Sequence, residues 1–212
     1  MFEFSWSAKR TIESIEKSGL VLDRLQEDMR LLLYGAKPVA TISMSSRFAY
    51  HFMKNYPCIT EPHIGRGSAL VFQNSEIMYQ YITETVKLKK HKRLGIPVID
   101  YSTEDLGLLL GFPPTASKWA GNVMFKLMKK DICKYYDEMR AVYYHGYNFA
   151  THKDDVINSI NWMLENRPVP AEIQTGITVT HVLEVDEKGR TIRKDVKSFE
   201  DFKAMNGFVE HN

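Results

Sequence analysis

The stretch Ile96-Pro97-Val98-Ile99-Asp100-Tyr101-Ser102-Thr103-Glu104-Asp105-Leu106-Gly107-Leu108-Leu109-Leu110-Gly111-Phe112-Pro113-Pro114 joins a strand to a helix with no linker between them. Ile96, Val98 and Ile99 favour a strand, which is predicted to end at Tyr101. Ser102 then stands at a helix N-cap, with Asp105 three residues later at the spacing of a capping box. Gly111 and the two prolines stop the helix. A strand running straight into a helix N-terminus is the frame in which α/β folds hold ligands, because orphan N–H groups and the helix dipole meet at the strand tip. Asp100, next to last in the strand, is therefore the carboxylate of greatest interest. Glu104 and Asp105 follow in the first helical turn, where negative charge also stabilises the dipole.

Upstream the pattern repeats. Residues 39–44 and 69–73 read as strands, with a short helix over 46–56 and a longer one over 75–94 that Ser75 caps and Gly95 breaks. Strand–helix–strand twice over predicts parallel pairing through right-handed crossovers. Residues 57–68 hold two prolines and two glycines and read as loop. Before them, Ile12, Ile15, Leu22, Met29 and Leu33 keep a helical rhythm that predicts one helix over 11–34, closed by Gly35.

Downstream, Phe125, Met128, Ile132, Tyr135, Met139 and Val142 mark one face of a predicted long helix that Gly146 closes. Thr151 with Asp154 opens another, with Val156, Ile157, Ile160 and Leu164 inward. Pro168 and Pro170 mark a boundary. Beyond them, residues 177–185 alternate, Asp186-Glu187-Lys188-Gly189 turns and residues 191–196 return, which predicts a β-hairpin. Ser198 with Asp201 caps a last short helix.

The expected architecture is α/β. A small, mainly parallel sheet of residues 39–44, 69–73 and 96–101 is flanked by helices, with a helical segment and a C-terminal β-hairpin. Residues 1–167 make the α/β domain with its helical extension, and residues 168–212 the hairpin and short helix packed on it.

Composition sets the class. Of 212 residues, 44% are hydrophobic and 25% charged, the profile of a globular protein able to bury a core. The net charge of +2 is too small to imply a nucleic-acid or membrane partner on its own. Cys58 and Cys133 are far apart, which argues against a disulfide framework and points to a reducing cytoplasm. The N-terminus has no basic region followed by an apolar run, so no signal peptide is expected, and no apolar run is long enough for a bilayer-spanning helix.

Tyr34-Gly35-Ala36-Lys37-Pro38, the segment from Leu70 to Ile82, and above all Asp105-Leu-Gly-Leu-Leu-Leu-Gly-Phe-Pro-Pro114 resemble, in order and spacing, an uncharacterised bacterial family of short cytosolic α/β proteins that carry a Gly-Leu-Phe-Leu-Gly-Tyr-Pro segment. The likeness covers about residues 30–120. The chain departs from that family where a Gly-Tyr-Trp-Lys-Val-Tyr segment would follow, offering Lys118-Trp119. The resemblance implies an α/β fold and a bacterial or mobile-element accessory protein. It implies no activity, since none is assigned to the family.

Several groups of residues invite chemistry, each beside a plainer reading. Gly65-Arg66-Gly67-Ser68 offers backbone amides and a guanidinium to an anion, though it precedes a strand and lacks the Lys-Ser/Thr ending of a phosphate loop. Lys87, Lys89, Lys90, His91, Lys92 and Arg93 cluster at a predicted helix end, where they either complement the dipole or grip phosphates. The aromatic run from Tyr143 to Phe149 offers rings for stacking and His145 for proton transfer, or covers a core. His51 reads as a packed histidine. His181, on the apolar face of its strand with Val179 and Leu183, reads as structural. No His, Cys or carboxylate spacing forms a metal set, and no cofactor is expected. Asp186-Glu187-Lys188 has the letters of a nuclease motif but falls in a turn.

The expected function is that of a non-catalytic cytoplasmic binding protein for a partner protein or a small phosphate-bearing ligand. Its site would comprise Arg66, Ser68, Asp100, Ser102, Tyr144 and His145 around the strand C-terminal ends. Two alternatives stand beside it. One is nucleic-acid binding through Lys89, Lys90, Lys92 and Arg93 in the cluster at residues 87–93. The other is an enzyme acting on phosphate esters, with Asp100 and His145 or His152 as acid and base.

Overall fold

Among the described residues the strands form three sheets, and every pairing in them is antiparallel. The computed structural model describes residues 3–60, 67–85, 87–90, 97–100, 102–186 and 190–206, with the backbone alone at 85, 87–90 and 97–100. The chain divides into two units, Met1–Asp105 with Leu109–Gly111, and Leu106–Leu108 with Phe112–Asn212.

In the first unit, α1 (Trp6–Lys17) starts where the Ser5 hydroxyl accepts the Ala8 N–H at 3.2 Å. A 3₁₀ turn at Leu22–Arg24 and α2 (Glu27–Leu33) follow, so the single helix expected over 11–34 is broken by Gly19, whose φ is +75°. Then come β1 (Val39–Ser43), α3 (Ala49–Asn55), β2 (Cys58–Thr60), β3 (Ser68–Phe72) and α4 (Ser75–Gln80) with a π-helical turn at Tyr81–Thr85. The sheet order is β1-β3-β2, with Ala40 opposite Val71 and Ile59 opposite Leu70.

Both faces of this sheet are covered, which is why β3 is apolar at four successive positions. Ala40, Ile42, Ala69 and Val71 pack with Ile15, Met29 and Phe52 from α1, α2 and α3. Val39, Leu70 and Phe72 pack with Tyr81 on the other side. Each such side chain, fully buried, contributes roughly 1.5–3 kcal/mol.

The mainly parallel sheet is therefore corrected. The connection through α3 does join two strands of like direction, but the second is β2, three residues inside the segment expected to be loop. The expected second strand, β3, returns between them and runs against both. The third expected strand joins neither. β5 (Pro97–Asp100) pairs with β4 (Lys87–Lys90) in a separate two-stranded ribbon, Lys87 opposite Asp100. The helix expected over 75–94 thus gives way to a strand within the basic cluster, after the β-branched Thr83, Thr85 and Val86. No shared rim of parallel strand tips exists among the described residues, so the site built on it loses its frame.

In the second unit, α6 (Pro114–Trp119) and a π-helical turn at Ala120–Met124 come first, and α7 (Phe125–Lys130) and α8 (Ile132–Glu138) replace the first part of the expected long helix. Asp131 breaks it: its backbone is extended and its carboxylate accepts the Lys134 N–H at 2.9 Å. The remainder is strand. β6 (Met139–Tyr144), β7 (Tyr147–His152), β8 (Ile177–Val185) and β9 (Thr191–Ser198) form a sheet in the order β7-β6-β8-β9. The β8–β9 hairpin is as expected.

β6 turns into β7 through His145 and Gly146, with φ of 45° and 102°, between the paired Tyr144 and Tyr147. Positive φ at both central residues is the two-residue hairpin turn whose twist suits the strands. α9 (Val156–Asn166) lies against β6 and β7; the buried Thr151 and Ser159 hydroxyls meet at 3.1 Å. α10 (Phe199–Met205) begins where the Ser198 hydroxyl accepts the Asp201 N–H at 3.1 Å, and it folds back on β8 and β9. The helix α5 (Thr103–Leu109) contributes residues to both units.

Candidate functional site

Register in the second sheet lines up a charged rung. Val142 on β6 faces Val179 on β8, and Val179 faces Lys197 on β9. Two residues along each strand, on the same face, stand Arg140, His181 and Asp195, and His181 is paired directly with Asp195. Alternation on β9 shows which face is covered: Asp195 and Lys197 are partly buried, whereas Lys194, Val196 and Ser198 are exposed. The cover is α10. Phe202, Met205 and Asn206 close a pocket of about 180 Å³ whose other walls are Arg140, Val179, His181, Asp195 and Lys197.

The charges in this pocket are unevenly satisfied. Lys197 Nζ lies 3.1 Å from Asp195 Oδ2. Arg140 donates through Nη1 to the carbonyls of Asp137 and Met139, at 2.9 and 2.8 Å, and makes no ion pair among the described residues. Desolvation pulls the guanidinium below its ordinary value, with Asp137 and Asp154 opposing, and it stays charged. His181 has no hydrogen bond among the described residues. Partial burial, then the Arg140 charge, hold it below the ordinary histidine value, against weaker opposition from Asp137 and Asp195. It is therefore neutral near pH 7 and offers one N–H and one lone pair. Close by, Asp137 is held low by the hydrogen bond from Lys153 at 2.9 Å. A guanidinium, an ammonium and an imidazole N–H around an apolar floor suit a small anion.

The residues singled out from sequence are placed differently. Ser68 opens β3 opposite Ser43, and the Ser102 hydroxyl accepts the Asp105 N–H at 3.0 Å, which makes it a cap. Asp100 ends β5 in the ribbon, where its backbone pairs with Lys87. Tyr144 is buried and donates to the carbonyls of Met163 and Arg167, at 3.3 and 3.2 Å. The His145 Nδ1 accepts the N–H groups of Thr175 and Gly176 at 3.2 and 3.0 Å, so its lone pair is spent on a turn. His152 similarly accepts the Asp154 N–H at 3.3 Å. Ser68 and Ser102 belong to the first unit, and Tyr144 and His145 to the second. Lys89 and Lys90 lie in β4, while Arg66, Lys92 and Arg93 lie outside the described residues, as does most of the 186–189 turn.

Among the described residues no group of three His, Cys, Asp or Glu side chains is disposed to hold a metal ion. Nor is any helix there long and apolar enough to cross a membrane. No family model, no curated protein and no solved structure matches the chain.

Proposed function

We propose that the protein binds a small anionic ligand bearing a phosphate or carboxylate, and that it does so in the second unit between β6, β8, β9 and α10. The observation that carries this reading is the Arg140–His181 pair. Among the described residues, a half-buried guanidinium whose partners are carbonyls alone and an imidazole without a hydrogen bond stand on one pocket wall. Desolvated donors of this kind are costly to leave unmatched, and an anion would match both. Lys197 would turn from Asp195 toward the incoming charge. A cytoplasmic setting fits the free thiols of Cys58 and the exposed Cys133.

The test is calorimetric titration of the full chain with inorganic phosphate, succinate and a nucleoside monophosphate at fixed ionic strength. At least one is expected to bind. His181→Asn and Lys197→Gln should each weaken that binding about tenfold, the worth of one charge-assisted hydrogen bond. Absence of heat and of thermal stabilisation with all three anions overturns the reading, as does undiminished binding in both variants.

A further inference from the structure

In the first unit a stripe of α1 faces a stripe of α3. Arg10, Ser14 and the C-cap Ser18 recur every four residues along α1, and His51, Lys54 and Asn55 take the spacing of one face on α3. His51 joins them. Its Nδ1 lies 2.8 Å from Ser14 Oγ, and its Nε2 lies 3.4 Å from Ser18 Oγ. The direction of each bond follows from the third contact. The Ser18 hydroxyl donates to the Ile15 carbonyl at 2.6 Å, so its single proton is used there. Ser18 Oγ must therefore accept from His51, which places the ring proton on Nε2. Nδ1 then carries the lone pair, and Ser14 donates to it. The order is Ser14 O–H to Nδ1, Nε2–H to Ser18, and Ser18 O–H to a carbonyl.

This is the arrangement of an activated nucleophile: a hydroxyl bonded to a base whose far nitrogen is fixed by a third group. Ser14 is not sealed in. It lines an open pocket of about 290 Å³ with Arg10, Glu13, Lys17, Lys54 and Asn55. His51 is 8% exposed, so the base is shielded from water while the nucleophile is reachable. The pocket carries three cations against Glu13, which lies 3.7 Å from Lys17. Asn55 donates to the His51 carbonyl at 2.9 Å and adds an amide to the same wall. These cations and the amide would face negative charge developing on a substrate oxygen.

We propose that Ser14 and His51 form a catalytic dyad for acyl transfer from esters carrying an anionic group, with Ser18 as the positioning residue. The Ser14 oxygen attacks the acyl carbon while its proton passes to His51 Nδ1. The carbon–oxygen bond to the leaving alcohol breaks, and His51 returns the proton to that alcohol. Water then attacks the acyl-serine by the same route and releases the acid. This site lies in the first unit and is independent of the anion pocket in the second.

The experiment uses the full chain and two reagents. A fluorophosphonate should modify Ser14, seen by peptide mass spectrometry as one adduct with loss of fluoride, and the adduct should be absent in Ser14→Ala. His51→Gln should slow labelling about a hundredfold or more, the range for losing a general base. Ser18→Ala should fall between it and the unaltered protein. The nitrophenyl ester of 4-sulfobenzoic acid should be hydrolysed faster than the neutral benzoate ester, and the preference should shrink in Lys54→Gln. If His51→Gln fails to fold, Ser18→Ala decides, because Ser18 is exposed and its loss leaves the core intact. Its labelling should be slower than that of the unaltered protein. A Ser14 that stays unlabelled in the folded protein overturns the proposal. So does labelling as fast in a folded His51→Gln, or in Ser18→Ala, as in the unaltered protein.

Discussion

Lys37 in the first unit and Arg140 in the second are both drawn out of water, and the chain treats them in opposite ways. The Lys37 side chain is 3% exposed, and its Nζ lies 2.6 Å from Asp28 Oδ1, so the charge is matched where it is buried. Arg140 is given carbonyl oxygens and no carboxylate within ion-pair distance among the described residues. A cation placed for stability is neutralised locally, because an uncompensated buried charge is costly. A cation left with neutral acceptors keeps its capacity for an external anion. The histidines divide the same way: His145 spends its lone pair on two backbone N–H groups, whereas His181 faces a pocket.

The contrast breaks first at Asp28. If the pair is structural, Asp28→Ala removes a carboxylate bonded to the buried Lys37 ammonium and should cost about 3 kcal/mol in chemical denaturation, the upper end for a hydrogen bond to a charged group. Lys37→Met should cost less, since it removes the charge and leaves an apolar chain of similar length. The reverse ranking would mean that the burial of Lys37 serves something other than the fold. The matching change at Arg140, to Gln, should act mainly on ligand affinity.

A smaller effect sharpens the description of the second unit. A Cβ added at Gly107 would meet Ser117 Oγ at 2.5 Å and Ser117 Cβ at 2.9 Å. Gly107→Ala should therefore destabilise by about 1–3 kcal/mol through overpacking. Ser117 Oγ is buried and has no hydrogen-bond partner among the described residues, so Ser117→Ala alone should be neutral or stabilising. In combination it should recover part of the Gly107→Ala loss, measured as non-additivity in a double-mutant cycle. Strict additivity would show that the two residues do not touch.

What the sequence made legible was local. Residues 39–44 and the 177–196 hairpin are legible by their β-branched residues, residues 69–73 by a short apolar run, and the Ser102 and Ser198 caps by their spacing. Strand direction was not legible, because it turned on β2, whose Cys-Ile-Thr is too short to show a period beside Pro57. Met139 and Val142 sit three apart, the spacing of a helix face, whereas in β6 they stand on opposite sides of the strand and are both buried, so the pattern reads as helix. That displacement hid the site. With Arg140 assigned to a helix, nothing brought it to His181 and Asp195, since a cross-strand rung is a long-range fact. The alternation puts His181 on an apolar face with Val179 and Leu183, but Leu183 is exposed at a register shift and His181 meets Arg140, Asp195 and Lys197 instead. The Ser14–His51 contact was equally out of reach, because a four-residue stripe on one helix does not say which helix it faces.

The smallest effect is one of pH, and it separates His145 from His181 in the second unit. Partial burial holds His145 below the ordinary value, and burial with Arg140 does the same for His181. The unfolded chain, with both near ~6.5, then binds more protons than the folded one. Stability is full above that value and falls as pH drops through it, levelling off below the depressed folded values. The urea midpoint should therefore decline from about pH 7 toward pH 5. His145→Asn should remove part of the slope, because asparagine tolerates the positive φ and its side-chain oxygen does not take up a proton there. Saturating phosphate should remove a different part. An anion beside His181 favours its protonated form and raises its folded value toward the unfolded one, whereas His145 is held by Thr175 and Gly176 and should not respond. A slope that phosphate leaves untouched, or that His145→Asn abolishes alone, would put His181 with the structural histidines.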